Sequence, residues 1–227
     1  MKTMILAAGR GERMRPLTDT CPKPLLPVGG KPLIAWHLER LAAAGLRDIV
    51  INHAHLGKMI EETLGDGAHY GVRIQYSDEG TALETAGGIA NAQPLLGDDP
   101  FLVVNGDIFC DFDFHQVPRI AEHLRAQNAL AWLLLIPNPP HHPQGDFHLH
   151  YHAVSTTQGE RLTFSGIGLY QPALFAQIPR GQAAKLAPLL HAAIATEQVL
   201  GQRHDGLWVD VGTPERLATL DQKLRSD

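Results

Sequence analysis

The stretch from Leu6 to Lys23 reads L-A-A-G-R-G-E-R-M-R-P-L-T-D-T-C-P-K. It gathers the residue types that hold phosphate. Gly9 and Gly11 allow backbone N–H groups to approach an anion closely. Arg10, Arg13 and Arg15 bring positive charge to the same segment. Lys23 stands between Pro22 and Pro24, whose rings stiffen the backbone and restrict where its ammonium points. Such a loop suits a triphosphate. It is neither a P-loop, since no G-K-S/T closes it, nor a G-x-G-x-x-G, since position 14 is Met. The G-x-G alone reads equally well as a solvated glycine turn with surface arginines. The whole string is far more specific.

Two aspartates could hold a metal. Asp107 follows an apolar run in V-V-N-G-D-I, and Asp210 follows another in L-W-V-D-V-G-T-P. They are 103 positions apart. If both runs are strands, both carboxylates emerge at strand ends and can meet in one site. Mg²⁺ takes one or two protein carboxylates and fills its remaining positions with phosphate oxygens and water. Asp after a strand is also a common turn former. A competing D-x-D, Asp111-Phe112-Asp113, resembles the metal motif of enzymes that consume nucleotide-sugars. It also reads as an acidic helix start ahead of Phe114, and this second reading is preferred, because a D-x-D leaves the Gly9–Lys23 loop unexplained. His148, His150 and His152 alternate on one strand face, with His141 and His142 nearby. No Cys or carboxylate completes a typical zinc set there, so a solvent-facing strand is expected.

The elements that must position these residues follow from hydrophobic spacing. Strands are expected at 3–8, 48–52, 72–76, 101–104 and 130–136, and helices at 32–44, 56–64, 85–96 and 114–126. Alternating strand and helix at this spacing implies a mostly parallel sheet covered on both faces. The rigid stretch P-N-P-P-H-H-P (137–143) marks a change. After it come strands at 146–154 and 161–170, a helix at 182–195 and a strand at 207–211. A last helix is capped by Thr213, with Pro214 in its first turn. Ligands in such folds bind beyond the carboxyl ends of the strands, where the Ala8–Lys23, Asn105–Asp113 and Asp210–Thr213 loops all lie.

Composition fits an ordinary globular domain. Of 227 residues, 44% are hydrophobic, and a chain of this length buries a large core as one unit. With 19 Lys+Arg against 24 Asp+Glu the net charge is −5. No basic block is present, so a nucleic-acid partner is not expected. Two cysteines, Cys21 and Cys110, make no disulfide framework. The N-terminus lacks a signal-peptide core, and no apolar run approaches the ~20 residues needed to span a bilayer. A cytoplasmic protein with no membrane partner is expected. The 13 histidines make its charge, and hence its solubility, sensitive to pH near ~6.

L-A-A-G-R-G-E-R-M-R-P-L-T with P-K-P-L, taken with G-D and W-V-D-V-G-T, resembles the signature of the sugar-1-phosphate nucleotidyltransferases, and the likeness runs from Met4 to about Leu217. It implies an α/β, Rossmann-like three-layer sandwich with a small β-rich sugar-binding lobe. One domain is then expected over 1–227, with 1–136 holding the nucleotide and 137–227 the sugar and the second metal ligand. The resemblance implies Mg²⁺ on Asp107 and Asp210, and a nucleoside triphosphate, expected to be UTP, with a sugar 1-phosphate as substrates. Arg13 and Lys23 become catalytic candidates beside the two aspartates. Ala8, Gly9, Gly11, Glu12, Arg13, Lys23, Glu79 and Gly88 become candidate nucleotide contacts. Asn105, Asp146, Ser165 and Gly166 become candidate sugar contacts.

Many relatives carry an E-K-P whose lysine holds the sugar phosphate. This chain has none, and Lys185 is the available substitute. The sequence ends soon after W-V-D-V-G-T, so no added C-terminal β-helix is expected. I-N-H-A-H-L-G, N-P-P-H-H-P-Q-G-D-F and T-F-S-G-I-G are most similar to the uridylyl-transferring members that recycle peptidoglycan sugars. Mannose-, heptose- and glucose-1-phosphate enzymes stand behind that reading. A nucleotide-sugar-dependent glycosyltransferase and a catalytically silent sensor stand further back.

Overall fold

The computed structural model describes residues 1–226. The elements run β1 (Lys2–Leu6), β2 (Pro27–Val28), β3 (Lys31–Pro32), α1 (Leu33–Ala43), β4 (Asp48–His53), α2 (Gly57–Leu64), β5 (Arg73–Asp78) and α3 (Glu84–Leu96). They continue with β6 (Phe101–Asn105), β7 (Ile108–Cys110), α4 (Val117–Ala126), β8 (Ala131–Ile136), β9 (Phe147–His150), β10 (Ala153–Ser155) and β11 (Glu160–Tyr170). The last are α5 (Leu186–Ala195), β12 (Val199–Arg203), β13 (Trp208–Asp210) and α6 (Pro214–Ser226).

Nine strands form one sheet in the order β5-β4-β1-β6-β11-β8-β12-β10-β9. Strand pairing leaves β10 and β11 reversed and the other seven strands running one way. Strand β8 is apolar at every position, and β1, β4 and β6 carry apolar residues on both faces, because both sheet faces are covered. Leu102 and Val104 of β6, Ile49 and Ile51 of β4, and Trp132 and Leu134 of β8 face the layer of α1, α2 and α4. Phe101, Val103, Val50, Ala131, Leu133 and Leu135 face α3 and α5. Truncating one of these side chains, as in Leu102→Ala, costs about 2–5 kcal/mol.

A third, smaller core positions the chemistry. Met14, Leu26, Val28, Leu33, Phe109, Val211 and Leu220 pack together. This cluster ties the arginine loop, the start of α1, β7 and α6 to one another. Met14 is fully buried in it, so the residue that interrupts a dinucleotide fingerprint is the anchor of the loop.

Four elements depart from the sequence expectation. The 146–154 strand is two strands, β9 and β10, separated by a turn in which Tyr151 takes φ +54°. The helix expected from 182 begins only at Leu186. The residues before it are engaged with α3: Ala184 O accepts from the N–H groups of Ala86 and Gly87, 2.9 and 3.1 Å, supplying partners to the free N–H groups of that helix start. Strand β12 (V-L-G-Q-R) lies inside the sheet between β8 and β10, yet its glycine and polar end conceal the pattern. The 207–211 strand is absent from the main sheet. Its core, β13, pairs antiparallel with β7 in a separate two-stranded ribbon.

Candidate active site

The ribbon solves the problem of two carboxylates 103 positions apart. Asp210 pairs with Ile108 across it, and Val211 N donates to Asp107 O at 3.0 Å. The backbones of the two aspartates therefore lie one register position apart across the ribbon. Helix α1 fixes β7 from behind. His37, fully buried, bonds Ile108 O through Nε2 at 2.7 Å, and Arg40 donates to the carbonyls of Cys110 and Phe112. Burial lowers the His37 pKa to about 4, so the ring is neutral and its N–H serves as a donor to the carbonyl.

Each aspartate is held by a cation through one oxygen. Lys23 Nζ, nearly buried, lies 2.6 Å from Asp107 Oδ2. Arg216 Nη1 lies 3.2 Å and His141 Nε2 3.5 Å from Asp210 Oδ2. Among the described residues neither Oδ1 takes a hydrogen bond or ion pair. Two hard oxygen donors, one just before β7 and one at the end of β13, each carboxylate held through its other oxygen, are of the type a divalent cation takes. The arrangement fits the metal that the sequence implies.

Lys23 and Asp107 open on a cleft of about 560 Å³ lined by Leu6–Met14, Asn52, Glu79, Glu84, Asn105 and Gly212, among others; Asp210, Arg216 and His141 stand behind Gly212 and do not line it. All of the phosphate-loop candidates (Ala8, Gly9, Gly11, Glu12, Arg13 and Lys23) line it. Gly11 takes φ +67° and packs against Thr18 and Lys23, which places a turn where the chain must double back. Thr18 Oγ1 closes that turn by donating to Gly11 O, 2.8 Å. A side chain at position 212 would collide with Arg216 and crowd Arg13, so glycine there lets both guanidinium groups lie over the backbone beside Asp210.

At the opposite wall, Asn52 accepts from Ala7 N at 2.9 Å and donates to Glu79 Oε1 at 2.6 Å. Glu79 Oε2 accepts from Leu83 N at 2.8 Å. Both Glu79 oxygens thus brace the 79–83 loop, while the residue still lines the cleft. Gly88 stands behind it inside α3, where any side chain would collide with Glu79. Gly88 is not among the residues lining the cleft. Glu84 enters α3 at φ +61° and faces the cleft. A non-glycine residue in that region is strained, and such strain gathers at ligand sites.

The sugar-side candidates are placed differently. Asn105 lines the cleft. Gly166, at φ +86°, packs directly against the Asn105 side chain. Ser165 is buried, its Oγ accepting from Ile167 N at 3.1 Å and its carbonyl accepting from Trp208 Nε1 at 2.8 Å. Asp146 accepts from Phe164 N at 2.8 Å and pairs with His142 at 2.9 Å. Lys185 is an exposed residue at the start of α5 and does not line the cleft. Residues that the sequence reading left out of the site are Arg216, Asn52 and Glu84, together with His141 in its contact with Asp210. Arg216 had one faint signal: it follows the capped start T-P-E-R, where a helix entry beside Asp210 carries its side chain back to the site.

The D-x-D divides. Asp113 caps the short helical turn after it, accepting from His115 N at 3.0 Å. Asp111 pairs with His204 at 2.7 Å. His148 bonds Gly159 O at 3.0 Å, and His148, His150 and His152 enter no metal-sized cluster among the described residues.

Comparison with known proteins gives the family. The family model described as nucleotidyl transferase matches residues 2–146. An N-acetylmuramate alpha-1-phosphate uridylyltransferase of Neisseria meningitidis is 58% identical over 221 residues, covering 96% of this chain and 95% of that protein. A UTP–glucose-1-phosphate uridylyltransferase of Synechocystis is 32% identical over 93% of this chain, which spans only 60% of that longer protein. In fold, a Bacillus anthracis structure described as a glucose-1-phosphate thymidylyltransferase superposes with a TM-score of 0.84 over 100% of this chain and 96% of its own, at 23% identity. No helix among the described residues is long and apolar enough to cross a membrane. A Rossmann-like sheet, a glycine- and arginine-rich loop at its carboxyl edge and paired strand-end aspartates, together with these matches, make the chain a member of the nucleotidyl transferase family.

Proposed function

We propose that the chain transfers UMP from UTP to N-acetylmuramate α-1-phosphate, releasing pyrophosphate and forming the UDP-sugar for peptidoglycan-sugar recycling. The observation that carries this reading is the β7–β13 ribbon, which brings the backbones of Asp107 and Asp210 to within one register position of each other, with Asp107 lining a cleft floored by the Gly9–Lys23 loop. The 58% identity to the Neisseria enzyme, spread over nearly both whole chains, supports the choice of substrates.

The nucleophile needs no protein base. A phosphate monoester has a second pKa near ~6, so the sugar phosphate is mostly a dianion at neutral pH. Its oxygen attacks the α-phosphorus of UTP, and the bond to the β-phosphate oxygen breaks as pyrophosphate leaves. The barrier is repulsion between two anions, so the protein acts by positioning and by neutralising charge. Lys23 directs its ammonium to the α-phosphate and the incoming phosphate. Arg13 neutralises the departing pyrophosphate. Arg216, beside Asp210, adds a further positive charge. Asp107 and Asp210 would hold Mg²⁺, which when bound supplies positive charge between the reacting phosphates. The base lies along the wall braced by Asn52 and Glu79. The nucleotide belongs to residues 1–136 and the sugar to the remainder of the same domain. The need for UTP places the reaction in the cytoplasm.

The test is pyrophosphate release with Mg²⁺, crossing UTP, dTTP, GTP and CTP against N-acetylmuramic acid, N-acetylglucosamine, glucose and mannose 1-phosphates. Release confined to UTP with N-acetylmuramic acid 1-phosphate is expected. Release with another pair keeps the chemistry and discards the pathway. Tight UTP binding without release under any pairing overturns the enzymatic reading.

A further inference from the structure

Strand β7 carries chemistry at both ends. Asp107 precedes it, and at its far end Cys110 and Asp111 meet His204, which follows β12. One ligand atom from each of these three residues lies within 4.8 Å of the others, and among the described residues no other group of His, Cys, Asp and Glu side chains does this. We propose that Cys110, Asp111 and His204 form a second cation site, for a thiophilic divalent ion such as Zn²⁺, distinct from the Asp107–Asp210 pair.

Four observations carry the assignment. The donor set is one sulfur, one nitrogen and one oxygen, which suits zinc with an open fourth position and is poorly matched to Mg²⁺. The spacing is close to what zinc needs, because its bond lengths put tetrahedral ligand atoms about 3–4 Å apart. The backbone that carries the donors is also fixed before any ion arrives. Asp111 N donates to Leu207 O at 2.9 Å and His204 N to Leu135 O at 2.8 Å, and the His204 ring packs edge-on against Phe112, 6.0 Å between centroids. Finally, Gly206 stands where any side chain would collide with both Asp111 and His204, so the chain leaves room at this point.

The site has an entrance, because Asp111 is exposed and His204 partly so, while Cys110 is buried behind them. Burial pushes the Cys110 thiol up to about 12, so without an ion it is neutral and sits quietly in the core. Binding replaces the S–H bond with a sulfur–metal bond and releases the proton to solvent. The 2.7 Å contact between His204 and Asp111 gives way to two bonds to the ion. The result links the exit of β12 to β7, three residues from Asp107.

Cobalt titration tests this directly, since a thiolate ligand gives Co²⁺ a charge-transfer absorption that histidines and carboxylates do not. Reduced protein is held in saturating Mg²⁺, which occupies the hard-oxygen pair, and Co²⁺ is added. One ion per chain, a thiolate band and its displacement by Zn²⁺ are expected. Cys110→Ser should abolish the band, and Cys21→Ser should leave it intact. His204→Ala should weaken binding at least about 100-fold, since even supporting groups around a metal are worth 10–100-fold. Absence of a thiolate band in the folded wild-type protein overturns the proposal, as does a band that survives Cys110→Ser or vanishes with Cys21→Ser. The readout is metal binding, so its failure is separate from any failure of the uridylyl-transfer reading.

Discussion

At the phosphate end of the cleft, Gly9, Gly11, Arg13, Lys23 and Asp107 all face one space. At the sugar end, Ser165 bonds within its own strand and Asp146 accepts from Phe164 N and His142. Gly166 serves by making room for Asn105. In the function proposed above, the first region presents its polar groups to the ligand, whereas the second uses them to shape a wall. Phosphates are the same in every substrate of this chemistry, so the groups that meet them must be charged, numerous and directly presented. A sugar differs between substrates in shape, and shape is set by how loops are braced. Mutations should therefore act on turnover at one end and on sugar affinity at the other.

The largest effects belong to the phosphate end. Lys23→Ala, Asp107→Asn and Asp210→Asn should each lower kcat for pyrophosphate release at least ~100-fold, the scale of losing one preorganised charge partner. Near-normal turnover in any of them removes that residue from its role and blurs the contrast. Next comes Gly166→Ala, which strains a φ of +86° and pushes on Asn105. It should raise KM for the sugar 1-phosphate about tenfold, equivalent to ~1.4 kcal/mol, with KM for UTP little changed. Asp146→Ala should act in the same direction by about half that energy, since a hydrogen bond to a charged, exposed group is worth less than a steric displacement. If either variant shifts KM for UTP as much as KM for the sugar, the two ends are not separable.

A smaller effect reads the support beneath the phosphate end. The buried His37 has its pKa lowered from 6.5 to about 4. The unfolded chain therefore takes up the proton first as pH falls. Stability from this group is complete above about 6.5 and is lost as pH drops toward 4, with a slope approaching ~1.4 kcal/mol per pH unit. Urea midpoints measured from pH 7 to pH 5 should fall in the wild type. They should fall less in His37→Gln, which keeps a donor for Ile108 O but cannot take up the proton.

The same contrast explains what could be read from the residues beforehand. Strands β1, β4, β6 and β8 are apolar on both faces, and helices α1 to α4 have faces set by the sheet, so their pattern is dense. The phosphate loop was legible because Gly, Arg and Lys crowd fewer than twenty positions. Strand β12 was not, since V-L-G-Q-R lacks a sustained apolar run and gains its place only from β8 and β10. Nor was the contact of Arg216 and His141 with Asp210, because it depends on a helix entry and a proline-rich loop folding back onto the same carboxylate. The 182–185 segment looked helical in isolation, yet the Ala184 carbonyl is drawn to the first turn of α3. Competition between elements, rather than local preference, decided those cases.

The β7–β13 ribbon also bears on the order in which the protein is made. A ribosome that has released Asp107 has still to add more than a hundred residues before the other strand of the ribbon exists. Until Trp208–Asp210 docks, the nascent chain has its phosphate loop but only one of the two carboxylates. A product cut short anywhere before that point should keep its nucleotide loop yet turn nothing over, so activity arrives only with the last elements of the chain.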